Sequence, residues 1–478
     1  MKLKDLIKTD NKTLQNKEIK GVTASSANVQ KDFIFVCIKG TKFDGHDFAK
    51  QANTLGAAAI VCEKDLGLNN QIIVPDTREA YFNLSANWFG CPAKDIKIIG
   101  VTGTNGKTSV AFMLKQILET AGKKVGLIGT INNIIGDQII SSKNTTPDAY
   151  ELNSMLSLMK ESGCEYLVME VSSHAIDQKR ICGLEFEVAA FTNLTQDHLD
   201  YHGTMENYFL TKTKLFNMCK TAVVNYDDSY SRRLLEIIPC EKVTFSTKSE
   251  EATFTAKDIK YYPDSVKFFM SGYNYVNKIK VGTGGKFTIY NALCAASIAE
   301  KLGVTPEIIS SALAEMHGVK GRAEVVPTNS DFTVVIDYAH TPDGLKNILN
   351  TFKDFEACRL VVLFGCGGDR DKTKRPIMGE IAANLADFVI VTSDNPRSEE
   401  PMSIIDDILV GVTKKKTPYK VIENRIEAIN YAVANAQKND IIVLAGKGHE
   451  TYQILKDKTI HLDEREVVFS ALKLKKES

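Results

Sequence analysis

The run Gly100-Val101-Thr102-Gly103-Thr104-Asn105-Gly106-Lys107-Thr108 lies between an apolar segment, Ile96 to Thr102, and an apolar-periodic one, Val110 to Thr120. At a strand-to-helix junction, glycines let backbone N–H groups close around phosphate oxygens. A lysine adds a point charge, and the hydroxyl after it can reach Mg²⁺. Gly103, Thr104, Asn105, Gly106, Lys107, Thr108 and Ser109 are therefore the candidate cradle for the phosphates of ATP. The strict form of such a loop places a glycine where this chain has Val101.

A bound triphosphate brings Mg²⁺, which takes oxygen ligands and keeps part of its water. Glu170 ends a predicted strand, Tyr166 to Val171, where open α/β sheets bind their ligands. With Thr108 it forms the candidate metal site. The stretch Asn193-Leu194-Thr195-Gln196-Asp197-His198-Leu199-Asp200-Tyr201-His202 holds two carboxylates and two imidazoles, but its spacing fits no common zinc site. His198 is as compatible with a role in the site as with an ordinary packed histidine. Lys212 and Lys214 fall on a predicted helix, Glu206 to Phe216, and residue type alone makes both of them solvated charges.

The elements that must position these groups alternate. Ile96 to Thr102, Lys124 to Ile128, Tyr166 to Val171 and Val188 to Thr192 read as strands, with Ala149 to Lys160 helical among them. That order predicts a mostly parallel sheet covered by helices. Phe254 to Lys280, rich in Tyr, Phe and Val, reads as a β insertion. Thr333 to Tyr338, Arg359 to Phe364, Phe388 to Thr392 and Ile441 to Leu444 are the strands of a further block. Gly365-Cys366-Gly367-Gly368-Asp369 follows one of them without the spacing of a nicotinamide dinucleotide loop. The 478 residues, at about 150 per domain, predict roughly three domains, and we place them at 1–95, 96–322 and 323–478.

Composition narrows the classes. Hydrophobic residues at 44% and charged residues at 25% are those of a globular chain. With 59 basic and 59 acidic residues there is no global basic field for a nucleic acid. The 10 cysteines include no CxxC pair and read as packed free thiols of a reducing, cytoplasmic setting. No run of 18 apolar residues is present to span a membrane. A monomer acting on small molecules is the expectation.

The motifs TGTNGKT, EVSSHA, NLTQDHLDYHGTMENY, GRAEV, DYAHTPDGL, GCGGDRDKTKRP, SDNPRSEEP and AGKGHE occur in this order, and in this the chain resembles the Mur ligase superfamily of ATP-dependent amide-forming enzymes. The resemblance implies an N-terminal domain holding the UDP end of a muramoyl dipeptide, a central ATP-binding domain of P-loop type, and a C-terminal Rossmann-like domain for the incoming amino acid. It implies Ser25, Thr41, Lys42 and Phe43 near the uridine diphosphate. Here the family's Ser-Arg is Ser25-Ser26. It further implies Asn144, Thr145, Thr146, Ser172, Gln178 and Arg180 on the muramoyl dipeptide, and Asn291 near adenine. By the same resemblance Lys212 becomes a carbamylated Mg²⁺ ligand, joined by Thr108, Glu170 and His198, while Lys107, Lys212 and His198 carry the catalysis. Lys214 stays a surface charge.

For the amino acid, the resemblance implies Arg375, Asp394, Asn395, Pro396, Arg397, Gly446 and Glu450, and meso-diaminopimelate as the substrate. The physics agrees at Arg397, whose planar guanidinium matches a distal carboxylate that lysine lacks. Two rivals share features of the chain. A folylpolyglutamate synthetase has the TGTNGK loop, but Asn144-Thr145-Thr146-Pro147, the DNPR run and the first domain disfavour it. A catalytically silent nucleotide-binding scaffold need not keep Lys107, Glu170, His198 and Lys212 together.

Overall fold

In the N-terminal unit, four short strands, Gly21–Thr23, Phe33–Val36, Ala59–Cys62 and Gln71–Ile73, form a parallel sheet in chain order. Alternation sorts their side chains. Ile34, Val36 and Val61 enter one core, whereas Phe35, Ile60 and Cys62 enter a smaller one on the opposite face. The computed structural model describes residues 1–478 apart from 41–42, 263–264, 274, 317, 354–358 and 478.

The middle unit is built on an eleven-stranded sheet. Its parallel centre runs, in spatial order, through Glu241–Ser246, Cys219–Asn225, Phe186–Phe191, Lys97–Thr102, Tyr166–Glu170 and Val125–Ile128. A parallel sheet is apolar on both faces because crossover helices cover it. Ile99, Val101, Val168 and Val188 face the helices Lys107–Thr120 and Lys286–Lys301, while Ile98, Met169, Ala189 and Phe191 face the other way. That second face shares its core with Leu3, Ile34 and Phe82 of the N-terminal unit, so the first two units are packed as one body.

The segment expected to be a β insertion extends this same sheet. Phe254–Tyr261 pairs parallel with Glu241–Ser246, and Val266–Ser271 and Val276–Val281 follow antiparallel. Phe254, Ala256, Val266, Phe268, Met270, Ile279 and Val281 bury into the core already formed by the helices, which holds the strands on the edge.

In the third unit the sheet order is Glu324–Val326, Thr333–Asp337, Ile441–Ala445, Leu360–Phe364, Phe388–Val391, Tyr419–Val421, parallel except for the first pair. The helix Glu464–Glu477 is tied to it by a fully buried ion pair. Arg425 Nε donates to Glu464 Oε1 at 2.9 Å, and Arg425 Nη2 donates to the Ala445 carbonyl at 2.8 Å. Breaking one partner of such a pair strands a charge in the interior. Arg425→Met is expected to destabilise the third unit by about 3–5 kcal/mol in chemical denaturation.

Candidate active site

The phosphate loop begins two residues later than the strict pattern suggests. Gly100 and Val101 lie inside the strand Lys97–Thr102, with Val101 fully buried. The loop proper opens at Gly103 (φ 147°), and the helix Lys107–Thr120 starts behind Gly106 (φ 86°). Both glycines have φ values that disfavour other residues, and a Cβ on Gly106 would stand 2.5 Å from Asn291 Oδ1. Asn291 is thus packed directly against the loop. Lys107 folds back so that Nζ donates to the carbonyls of Gly103 (2.9 Å) and Thr104 (2.8 Å). Desolvation lowers its pKa, only partly countered by Glu170 and Asp197.

Glu170, 1% exposed, sits at the carboxyl end of the neighbouring strand. Thr108 donates its hydroxyl to Oε2 at 3.0 Å, and Thr130 donates its N–H to Oε1 at 2.8 Å and its hydroxyl to Oε2 at 2.9 Å. A hydroxyl and a carboxylate side by side beneath a phosphate loop are the hard oxygen donors that Mg²⁺ takes, with room in its shell for phosphate and water. Among the described residues no three His, Cys, Asp or Glu side chains converge to hold a metal by themselves.

Lys212, on the helix Met205–Thr213, is 2% exposed, whereas Lys214 is exposed. Lys212 Nζ donates to the Gly103 carbonyl at 3.0 Å and lies 4.7 Å from the Tyr208 ring centroid. Burial, then the charge of Lys107, push its pKa well below that of an ordinary lysine. His198, held at φ 55°, packs edge-on against His174 at 4.9 Å. Burial pushes its pKa down to about 3 despite Asp197 at 3.4 Å, so the imidazole is neutral.

Arg322 and residues of the third unit complete this cavity of about 460 Å³ with groups that sequence reasoning left unassigned. Arg322 donates to Thr108 Oγ1 at 3.2 Å and lies over the Tyr338 ring at 4.6 Å. Asn105 donates to Asp343 Oδ2 at 3.0 Å, and His340 stands 3.9 Å from Asp197. Desolvation raises the Asp337 carboxyl to about 6, with Arg322 acting against it. The signal was present in the GRAEV and DYAHTPDGL motifs, but neither has the local form of a phosphate loop.

Thr145, Thr146, Ser172, Gln178 and Arg180 assemble next to Glu170. Thr145 contacts the Thr130 hydroxyl at 3.1 Å. Thr146, expected on the muramoyl dipeptide, is fully buried, its hydroxyl donating to the Glu170 carbonyl (2.9 Å) and accepting from the Ser172 N–H (3.1 Å). Arg180 donates to the Thr146 carbonyl (2.9 Å) and Gln178 Oε1 (2.6 Å), so it braces this corner. Asn144, Ser25 and Phe43 are exposed, Phe43 to 72%. Thr41 and Lys42 lie outside the described residues. Arg78, another residue sequence reasoning missed, links the two areas by donating to the carbonyls of Lys39 (2.7 Å) and Gln178 (3.5 Å).

In the third unit Asp394, Asn395, Pro396, Arg397, Gly446 and Glu450 come together at the carboxyl ends of Phe388–Val391 and Ile441–Ala445. Asn395 Nδ2 donates to Glu450 Oε2 at 2.9 Å. Gly446 (φ 116°) passes so close to Asp394 that a Cβ would meet Oδ2 at 2.6 Å. Arg397 (φ 53°) is half-buried, and Nη1 donates to the Gly368 carbonyl at 2.8 Å. Arg375, expected on the amino acid, is instead fully buried, paired with Glu399 (2.9 Å) and Asp407 (2.9 Å). The Arg375 guanidinium holds the Glu399 carboxyl down to about 2. In this arrangement Arg375 anchors the loop that carries Arg397.

A nucleotide loop, a buried carboxylate–hydroxyl pair and a separate third unit define a class of ATP-using enzymes, and the comparisons with known proteins agree. Family models match residues 18–86 (Mur ligase family, catalytic domain), 101–299 (Mur ligase middle domain) and 321–448 (Mur ligase, glutamate ligase domain). The chain belongs to the Mur ligase family and is an ATP-dependent, amide-bond-forming ligase. It is 47% identical over 475 residues, 98% of each chain, to the UDP-N-acetylmuramoyl-L-alanyl-D-glutamate–2,6-diaminopimelate ligase of Caldanaerobacter subterraneus subsp. tengcongensis. A solved structure of an enzyme with that name superposes with a TM-score of 0.73 at 31% identity, covering 100% of both chains. The ADP complex of MurF ligase from Thermotoga maritima shares the fold, with a TM-score of 0.65 at 21% identity over 96% of this chain and 98% of that one. No helix among the described residues is long and apolar enough to cross a membrane.

His449, beside Glu450, has a buried Nδ1 without a hydrogen-bond partner. Burial, then Arg322, Arg465, Lys320 and Lys447, lower its pKa from 6.5 to about 3. The unfolded chain therefore takes up this proton first, and the associated stability is lost as pH falls from about 6.5 toward 3. Denaturant unfolding at pH 7, 6 and 5 should show His449→Gln flattening the acid slope by up to about 1.4 kcal/mol per pH unit.

Proposed function

We propose that the chain joins meso-2,6-diaminopimelate to the free carboxylate of UDP-N-acetylmuramoyl-L-alanyl-D-glutamate, using ATP, in peptidoglycan synthesis. The observation that carries this reading is the likeness, over nearly the whole chain, to ligases bearing that name. The placement of Arg397 supports the choice of amino acid.

A carboxylate is a poor electrophile, and amide formation in water is uphill. Transfer of the γ-phosphoryl of ATP to the carboxylate oxygen gives an acyl phosphate. The amine then attacks the acyl carbon, and phosphate leaves from the tetrahedral intermediate. In this scheme Lys107 and the N–H groups of residues 103–109 hold the β- and γ-phosphates, and Asn291 borders the adenine. Thr108, Glu170, His198 and Lys212 are the residues that would hold Mg²⁺, which when bound supplies charge neutralisation on the transferring phosphoryl. Lys212 supports its part through its environment. A lowered pKa favours the neutral amine, whose lone pair adds CO₂ with loss of a proton, and the carbamate formed is an oxygen ligand. Thr145, Ser172 and Gln178 line the approach of the dipeptide, and Asp394, Asn395 and Glu450 that of the amino acid's ammonium. The working compartment is the cytoplasm, where these small molecules occur, and the enzyme acts as a monomer.

A panel of amino acids assayed for phosphate release with the UDP-linked dipeptide should single out diaminopimelate, with lysine a poor substrate. Arg397→Ala should lower kcat/KM for diaminopimelate by about 10²- to 10⁴-fold and leave KM for ATP nearly unchanged. Equal loss for both substrates would count against the role of Arg397. Lys212→Ala should lose turnover and regain part of it with a short-chain carboxylic acid, because the acid restores the missing oxygen ligand. Full activity in that variant without rescue would remove Lys212 from the metal site.

A further inference from the structure

The third unit contains one fully buried lysine that the reaction scheme does not use. Lys447 follows Gly446 at the end of the strand Ile441–Ala445, and its side chain is 0% exposed. Nζ donates to Glu450 Oε2 at 2.8 Å and to Asn395 Oδ1 at 3.1 Å, 5.6 Å from the Tyr452 ring centroid. Asn395 Oδ1 also accepts from the Ile454 N–H at 2.9 Å. An ammonium and a backbone N–H can only donate, so together they fix which end of the Asn395 amide is oxygen. The NH₂ end is thereby turned onto Glu450 Oε2 at 2.9 Å. That oxygen now carries two donors, and Oε1 remains to accept from an incoming ammonium.

We propose that Lys447 is a positioning residue for the amino-acid substrate: it locks the Asn395 amide and the Glu450 carboxylate into the one arrangement that presents Glu450 Oε1 and leaves Asn395 without a choice of rotamer. The proposal rests on the reading that this pocket takes the amino acid. It differs from a direct contact because Lys447 has no exposed surface with which to meet a substrate carboxylate. Removing the ammonium leaves the Ile454 N–H alone to hold Asn395 Oδ1, and it strips Glu450 Oε2 of its charged partner.

Steady-state kinetics of the full-length enzyme would test this, varying each of the three substrates in turn. Lys447→Met is expected to raise KM for diaminopimelate by at least about tenfold, with KM for ATP and for the UDP-linked dipeptide within about twofold of wild type. The double variant Lys447→Met/Glu450→Gln should bind diaminopimelate no worse than Glu450→Gln alone, because Lys447 acts through Glu450. A parallel rise in all three KM values, or additive losses in the double variant, would overturn the proposal. Should Lys447→Met fail to fold, Asn395→Asp keeps the shape and both contacts at Oδ1 while turning an acceptor onto Glu450. It should show the same selective rise, and an unchanged KM for diaminopimelate would refute the fixed amide. If wild-type enzyme prefers another amino acid, the substrate reading fails separately, and the same comparisons are then made on that amino acid's KM.

Discussion

Two desolvated lysines share one carbonyl oxygen: Lys107 and Lys212 reach Gly103 O at 2.9 and 3.0 Å. Burial lowers both pKa values, and the charge of Lys107 lowers that of Lys212 further. Such a site stabilises anions strongly because little water competes for the charge. In the proposed reaction Lys107 faces the phosphates of ATP and a carbamate formed on Lys212. The other features of the site follow from this pair. Glu170 is held by Thr108 and Thr130 so that its charge lies beside the loop, and burial, with smaller contributions from His174, Lys107 and Lys212, lowers the His198 pKa.

The third unit lines the same cavity. Arg322, just before the strand Glu324–Val326, and Asp343, on the helix Pro342–Lys353, reach Thr108 and Asn105, so the candidate site draws on the third unit as well as the middle one. The N-terminal unit is attached differently. It shares a continuous apolar core with one face of the central sheet, from Leu3 and Phe82 to Phe186 and Phe209. Apolar packing fixes its place, whereas the third unit meets the phosphate loop through polar contacts that a substrate can exchange.

Buried strands and the phosphate loop were legible because each has a local cause. Ile98 to Val101 and Leu167 to Met169 are continuous apolar runs, as two-sided burial requires. The loop is encoded by glycines that must take positive φ and by a lysine immediately after them. Arg375 shows the limit of motif position. A family motif can place an arginine near a pocket, but whether its guanidinium faces the pocket depends on which carboxylates lie within reach, here Glu399 and Asp407.

The amino-acid sequence by itself determined the alternation of strand and helix around the phosphate loop, the loop itself, and the family, since periodicity and short motifs are properties of neighbouring residues. Tertiary structure alone decided which charges share a dry space. It buried Lys212 while leaving Lys214 in solvent, joined Asn105 to Asp343 across 238 positions, and set Lys447 between Asn395 and Glu450. Desolvation and pairing depend on distances in space, and the distance along the chain carries almost no information about them.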